Sequence, residues 1–420
     1  MVRGIAAAGV VGLALVAVLG SGGFAPAARA AEPTPGPSST TAAPAAPVAP
    51  PLDDPAGAGS RQCTPGSDEV VHAKPWHQDR MAAVRAWDLT RGKGVTVAVI
   101  DSGVQRDVPQ LAGQVLPGFD VVNGRGTGDT DCSGHGTFVA GIIAARQVPG
   151  IGFTGVAPAV KILPIRQSNE ANDGTAGGMA KAIRLAVDAG ATVVNISSSS
   201  FFDSPELRAA AEYAARKDVL IVAAAANEAA EGNPKSFPAS YPGVVAVGAV
   251  DENGKRTDFS ETGDFIDLVA PGKDVISLAA RGKGHLVGQG TSFATPFVAG
   301  TAALVRSYYP DLTAPQVKRR LEITADHPGT RLPDPQLGFG VVNPLGAVSS
   351  VIPDEGDVAA PAAPQRVPLP GAVARKDTGS RTFALLFTAG SLGLAALAAL
   401  VAALVPHGRR RGWRPAGTLP

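Results

Sequence analysis

The sequence is short of cysteine, of aromatic residues and of any excess charge. Aromatics make up 5% of its 420 residues, and 37 Lys plus Arg nearly cancel 36 Asp plus Glu. It therefore lacks both the stacking platform and the basic surface that nucleic-acid binding uses, and nucleic acid is excluded as a partner. Only two cysteines, Cys63 and Cys132, occur in the whole sequence. No cluster of carboxylates forces a metal site, and no metal or cofactor is expected.

What is present is unevenly distributed. Arg3 precedes an uncharged apolar run from Ile5 to Leu19, which is followed by the small-x-small pattern Ala28, Arg29, Ala30. That is the build of a secretory signal peptide over residues 1–30, cleaved near Ala30 or Ala31. Near the other end, the 23 residues from Phe383 to Val405 carry no charge, and at about 1.5 Å per helical residue they reach across roughly 30 Å of hydrocarbon. Arg409, Arg410, Arg411 and Arg414 follow this span. The excess of basic residues on that side predicts a cytoplasmic tail, 406–420, and an extracytoplasmic body. Two thiols in an exported body can pair or stay free, and their count leaves both open.

Residues 31–75 begin as a Pro/Ala-rich extension with too few large apolar side chains to offset the entropy of ordering, so it is disordered or lies extended along another surface. Residues 352–382 have the same bias and read as a linker. Between them, residues 76–351 alternate short apolar runs (Val95 to Ile100, Val160 to Ile165, Thr192 to Ile196, Val219 to Ala223, Val244 to Val250) with helical spacing over Ala176 to Ala189, Pro205 to Arg216 and Ser292 to Tyr309. Uniformly apolar strands separated by helices predict an α/β fold, a mostly parallel sheet covered by helices on both faces.

In such sheets reactive groups collect at the carboxyl ends of strands. Asp101 directly follows the first strand; His135 lies between Gly134 and Gly136, which let a partner approach the ring closely, ahead of a helical stretch from Phe138 to Ala145. Ser292 sits among small residues at the start of an apolar helix, with Pro296 placed in its first turn. Each alone is more ordinarily a turn residue, a solvated histidine or an N-cap serine. Together they stand in the chain order Asp, His, Ser, which is that of subtilisin.

The surrounding residues carry the resemblance further. Val99, Ile100, Asp101, Ser102, Gly103 resembles the aspartate motif of the subtilases; His135, Gly136, Thr137 with Val139, Ala140, Gly141 resembles the histidine motif; and Gly290 through Pro296 resembles the serine motif. The resemblance implies a subtilisin-like peptidase with Ser292 as nucleophile, His135 as general base and then acid, and Asp101 holding the imidazole in its productive tautomer. It implies Asn227 as an oxyanion donor, beside the Ser292 N–H, although Ala226 stands where the family usually has glycine. If that position needs a positive φ, the loop is strained. Asn195, Ile196, Ser197 resembles the strand that pairs with substrate backbone, with Ser198, Ser199 and Ser200 replacing the usual Leu-Gly-Gly type continuation; Gly174 is a candidate for the opposite substrate edge.

A narrower likeness, to the mycosins, membrane-anchored subtilases of type VII secretion systems, rests on the signal peptide, the Pro-rich extension, Pro75 and Trp76, Ile165, Arg166, Gln167, the cysteine placement and the single C-terminal span. It implies a Cys63–Cys132 bridge tying the extension beside the active site, a protein or peptide substrate from the secretion system, and a second role in stabilising the secretion membrane complex. A mainly structural component and a general degradative subtilase are the alternatives.

Overall fold

The computed structural model describes residues 49, 52, 63–169, 174–353, 355 and 378–412. The expected signal peptide, nearly all of the extension before Cys63, most of the linker and the last residues of the tail lie outside them. The chain divides into two compact units, 1–352 and 353–420.

In the first unit the apolar runs become strands: β1 (Thr96–Asp101), β2 (Phe119–Asp120), β3 (Lys161–Arg166), β4 (Val193–Ile196), β5 (Leu220–Ala224), β6 (Val245–Val250) and β7 (Leu268–Pro271). They form one sheet in the order β2-β3-β1-β4-β5-β6-β7, parallel at every pairing. Alternation along β1 shows why its run is apolar throughout. Val97 and Val99 enter the core on one face while Ala98 and Ile100 enter the core on the other. On the first face pack α1 (His135–Ala144) and α2 (Thr291–Tyr308); on the second pack α3 (Ala176–Asp188) and α4 (Pro205–Arg216). A sheet covered on both sides has no solvated face, so it needs no polar alternation. The edge strands β2 and β7 and an antiparallel hairpin, β8 (Val275–Leu278) with β9 (His285–Gly288), are not apparent in the sequence. Each is four residues or fewer, too short for a period to show.

Cys63 and Cys132 are bonded, with 4.5 Å between their Cα atoms across a separation of 69 residues. Closing a loop of that length contributes about 4 kcal/mol in the chain-entropy account. From Cys63 the chain runs as a strap along the hairpin. Thr64 N–H donates to Cys132 O, Ser67 N–H to Arg281 O, and Gly284 and His285 N–H return to Ser67 O and Glu69 O. Of the two readings of the extension, lying along another surface fits its described residues; even Leu52 donates its N–H to Val287 O at 2.7 Å.

Two buried neutral histidines pin this strap. His285 Nδ1 accepts the Val71 N–H at 3.1 Å while Nε2 faces Gln110 Oε1 at 3.1 Å, and burial pushes its pKa down to about 4. His77 Nε2 accepts the Ile276 N–H among the rings of Phe153 and Phe297, and burial pushes it down to about 3. Both folded values lie below the unfolded histidine value of about 6.5, so between pH 6.5 and 4 the unfolded chain binds more protons and stability falls as pH falls. Thermal melting between pH 7 and 4 is expected to show a steady drop, made shallower by His285→Gln; a flat profile would remove this role.

The second unit contains α5 (Thr378–Arg410), of 33 residues. Its segment Ala389–Pro406 is long and apolar enough to cross a membrane.

Candidate active site

Asp101 ends β1, and its carboxylate Oδ1 faces His135 Nδ1 at 2.8 Å. Both groups are buried, at 4% and 7% exposure. Ser102 N–H also donates to Asp101 Oδ1, at 2.8 Å. The close approach depends on Gly136, because a Cβ there would stand 2.0 Å from Gly103 O and 3.0 Å from Asp101 Cβ. His135 is itself the first residue of α1, whose N-cap is Gly134, so the helix begins three residues earlier than its apolar spacing suggests.

Ser292 is the second residue of α2, after Thr291, and is 9% exposed. The adjacent Phe293 ring lies 5.1 Å from the imidazole of His135, centroid to centroid, and so brings the serine turn and the histidine helix together. Pro296 is not in the first turn as expected. It is the sixth helical residue, and having no N–H it leaves the Ser292 carbonyl, four residues back, without its helical donor. Ser197 Oγ donates to that carbonyl at 3.0 Å and itself accepts from Asn195 Nδ2 at 2.9 Å. The end of β4 is thus fastened to the backbone of Ser292.

Asn227 follows β5. Its Oδ1 accepts from Thr291 N–H at 2.8 Å and Thr291 Oγ1 at 3.1 Å, an assignment that leaves the Nδ2 amide as the donor side. A Cβ placed on Gly290 would lie 3.0 Å from Ser292 Oγ and 3.5 Å from Asn227 Nδ2; glycine keeps open the point where hydroxyl and amide converge. Ala226, just before, has φ +81°, so the strain expected for a non-glycine residue here is present. A left-handed alanine costs about 1 kcal/mol or slightly more, while a glycine loses about 0.4–1 kcal/mol more entropy on folding. Ala226→Gly is therefore expected to leave the melting temperature unchanged or raise it by at most a few degrees, with activity retained. A clear drop would show that the side chain packs better than its backbone suggests.

A cleft of about 420 Å³ opens beside Asn227, lined by Gly174, Ser197, Ser198, Ser199 and Thr291. The structure therefore brings the four sequence-derived edge residues together. Ser198 Oγ accepts from Gln167 Nε2 at 3.1 Å and Ser199 Oγ donates to Ala224 O. The same cleft is lined by Met179, Phe201, Phe202 and Glu228, which sequence reasoning missed. Phe202 is 82% exposed, and an apolar residue in a loop gives no periodic signal. Behind the Asn227 loop, Glu261 is fully buried, and burial, then the charge of Glu228, pushes its carboxyl up to about 8. Among the described residues no group of three or more His, Cys, Asp or Glu is placed to hold a metal ion.

The Ser292 hydroxyl and the Asn227 amide thus meet beside Gly290, and the Phe293 ring joins that turn to the buried Asp101–His135 pair. A model of the Subtilase family matches residues 92–340. Mycosin-4 of Mycobacterium tuberculosis is 39% identical over 373 residues, which cover 78% of this chain and 80% of that one. Among solved structures, MycP1 from Mycobacterium smegmatis is 32% identical with a TM-score of 0.64, covering 74% of this chain and 94% of that one. MycP1 from the ESX-1 type VII secretion system is 32% identical with a TM-score of 0.62, covering 73% and 96%. The chain belongs to the subtilase family of serine proteases, among its mycosins.

Proposed function

We propose that the protein is a membrane-anchored, extracytoplasmic serine endopeptidase that processes a protein of a type VII secretion system. Ser292 is the nucleophile, His135 takes its proton and passes it to the leaving amine, and Asp101 stabilises the imidazolium. Asn227 Nδ2 and the Ser292 N–H hold the tetrahedral oxyanion. Ser197, Ser198 and Ser199 on one side and Gly174 on the other receive the substrate backbone. The observation that carries this reading is the 2.8 Å contact of His135 Nδ1 with Asp101 Oδ1, which fixes the ring tautomer that leaves Nε2 as the base. Residues 1–30 are proposed as the signal peptide, 31–75 as the extension, 76–351 as the peptidase domain, 352–382 as the linker, 383–405 as the span, and 406–420 as a cytoplasmic tail.

We propose a second role, in keeping the secretion membrane complex together, which the resemblance of the sequence to the mycosins implies. Catalytic residues lie in the first unit and the candidate anchor in the second, so the two roles are separable by mutation. In a strain carrying Ser292→Ala, substrate processing is expected to stop while the complex, followed on native gels of detergent-solubilised membranes, persists; deletion of the whole chain is expected to lose both. A complex undiminished by complete deletion would leave the endopeptidase and remove the second role.

A further inference from the structure

Behind the proposed catalytic pair lies a second buried carboxylate that the reaction scheme does not use. Asp131 is 3% exposed, and four donors converge on it. Its Oδ1 accepts from Gly134 N–H at 2.8 Å and Ser102 Oγ at 2.9 Å, and its Oδ2 accepts from Thr137 N–H at 2.8 Å and Thr137 Oγ1 at 2.6 Å. Gly134 and Thr137 flank His135 at the start of α1, whereas Ser102 follows Asp101. Ser102 Oγ also accepts the Gly136 N–H at 3.1 Å, so its single proton is directed to Asp131, the nearer of two carboxylates (Asp101 Oδ1 lies at 3.3 Å).

We propose that Asp131 is a positioning residue for the catalytic pair, holding the Asp101 turn and the first turn of the His135 helix as one unit. The proposal rests on the peptidase reading above. Gly134 supplies no side-chain cap, and the helix start carries free N–H groups. Asp131 meets two of them from outside the helix, four residues before His135. The residue next to it, Cys132, is bonded to Cys63, so the strap is anchored one peptide away from this hub. Burial pushes the Asp131 carboxyl upward, as does the charge of Asp101, against the pull of its hydrogen bonds. All of its acceptor positions face donors, which leaves no partner for a proton of its own, and the carboxylate form fits the site. The charged groups around it are Asp101 and His135, the Arg106–Asp129 pair at 2.9 Å, and Arg281, whose guanidinium donates to Cys132 O.

An amide at this position keeps the shape, offers one acceptor oxygen in place of two and removes the negative charge. In the full-length protein, the maximal rate of fluorophosphonate inactivation of Asp131→Asn is expected to fall by about 10²-fold, the effect of misplacing a catalytic group by an ångström or so. The inhibitor's half-saturating concentration should stay nearly unchanged. With an anion removed from its surroundings the His135 imidazolium is less favoured, so the acid limb of the pH profile is expected to move to lower pH. A variant that melts earlier but keeps both the wild-type rate and the wild-type pH midpoint would reduce Asp131 to a fold-stabilising residue and overturn the proposal. If Asp131→Asn does not fold, Thr137→Val decides instead. It removes one of the four donors and is expected to slow inactivation about tenfold, the rate equivalent of one charge-assisted hydrogen bond; an unchanged rate and midpoint would overturn the proposal. Wild-type protein that is not labelled at all would sink the peptidase reading itself, and this inference with it.

Discussion

Ser292→Ala is expected to lower peptide turnover by on the order of 10⁶-fold, the size of loss found when the nucleophile of subtilisin is removed. The substitution deletes one oxygen. Around it the Phe293–His135 ring contact, the bond from Ser197 Oγ to the Ser292 carbonyl and the Thr295–Thr291 hydrogen bond do not involve that atom. The melting temperature should therefore stay within a degree or two of wild type, since substitutions that touch no packing or buried polar partner change little. A residual rate of about 10³-fold over water is expected from substrate binding and the oxyanion donors. Turnover of a peptide substrate beside a thermal melt measures both parts. Comparable turnover in the variant would remove Ser292 as nucleophile.

Asn227→Ala is expected to have the next largest effect, about 10²- to 10³-fold in kcat, a magnitude taken from subtilisin. The loss should fall on kcat with little change in KM, because the donor serves an oxygen that becomes negative only in the transition state. The same side chain accepts two bonds from Thr291, so its removal also frees the first residue of the Ser292 helix and some loss of stability should accompany it. Steady-state kinetics separate the two consequences. A rise in KM with kcat intact would place Asn227 among substrate-binding groups rather than at the oxyanion.

Much of this was legible in the sequence because strands buried on both faces leave continuous apolar runs, and because motif glycines mark where backbones must touch. Gly136 is such a case: its neighbours Gly103 and Asp101 come within the radius of a Cβ. The positive φ at Ala226 was foreshadowed by an alanine standing where the family usually has glycine. What escaped sequence reading depends on distant partners. The start of the His135 helix is set by Asp131, which caps it from a preceding loop rather than from the N-cap position, so helical periodicity begins only at Phe138. Pro296 lies one turn deeper than expected, and this is tolerated because Ser197, 95 residues away in sequence, supplies the missing donor. The aromatic rim at Phe201 and Phe202 belongs to no repeating pattern, and only the folded loop places it beside the cleft.

The central claim is that Ser292 is activated by the His135–Asp101 pair, and covalent labelling tests it most directly. The purified full-length protein is treated with a fluorophosphonate at neutral pH, digested, and the modified peptide identified by mass. The expected result is a single adduct on Ser292, absent from Ser292→Ala and strongly reduced in His135→Ala. Folded protein that takes up no label, or carries it on another residue, would contradict the claim.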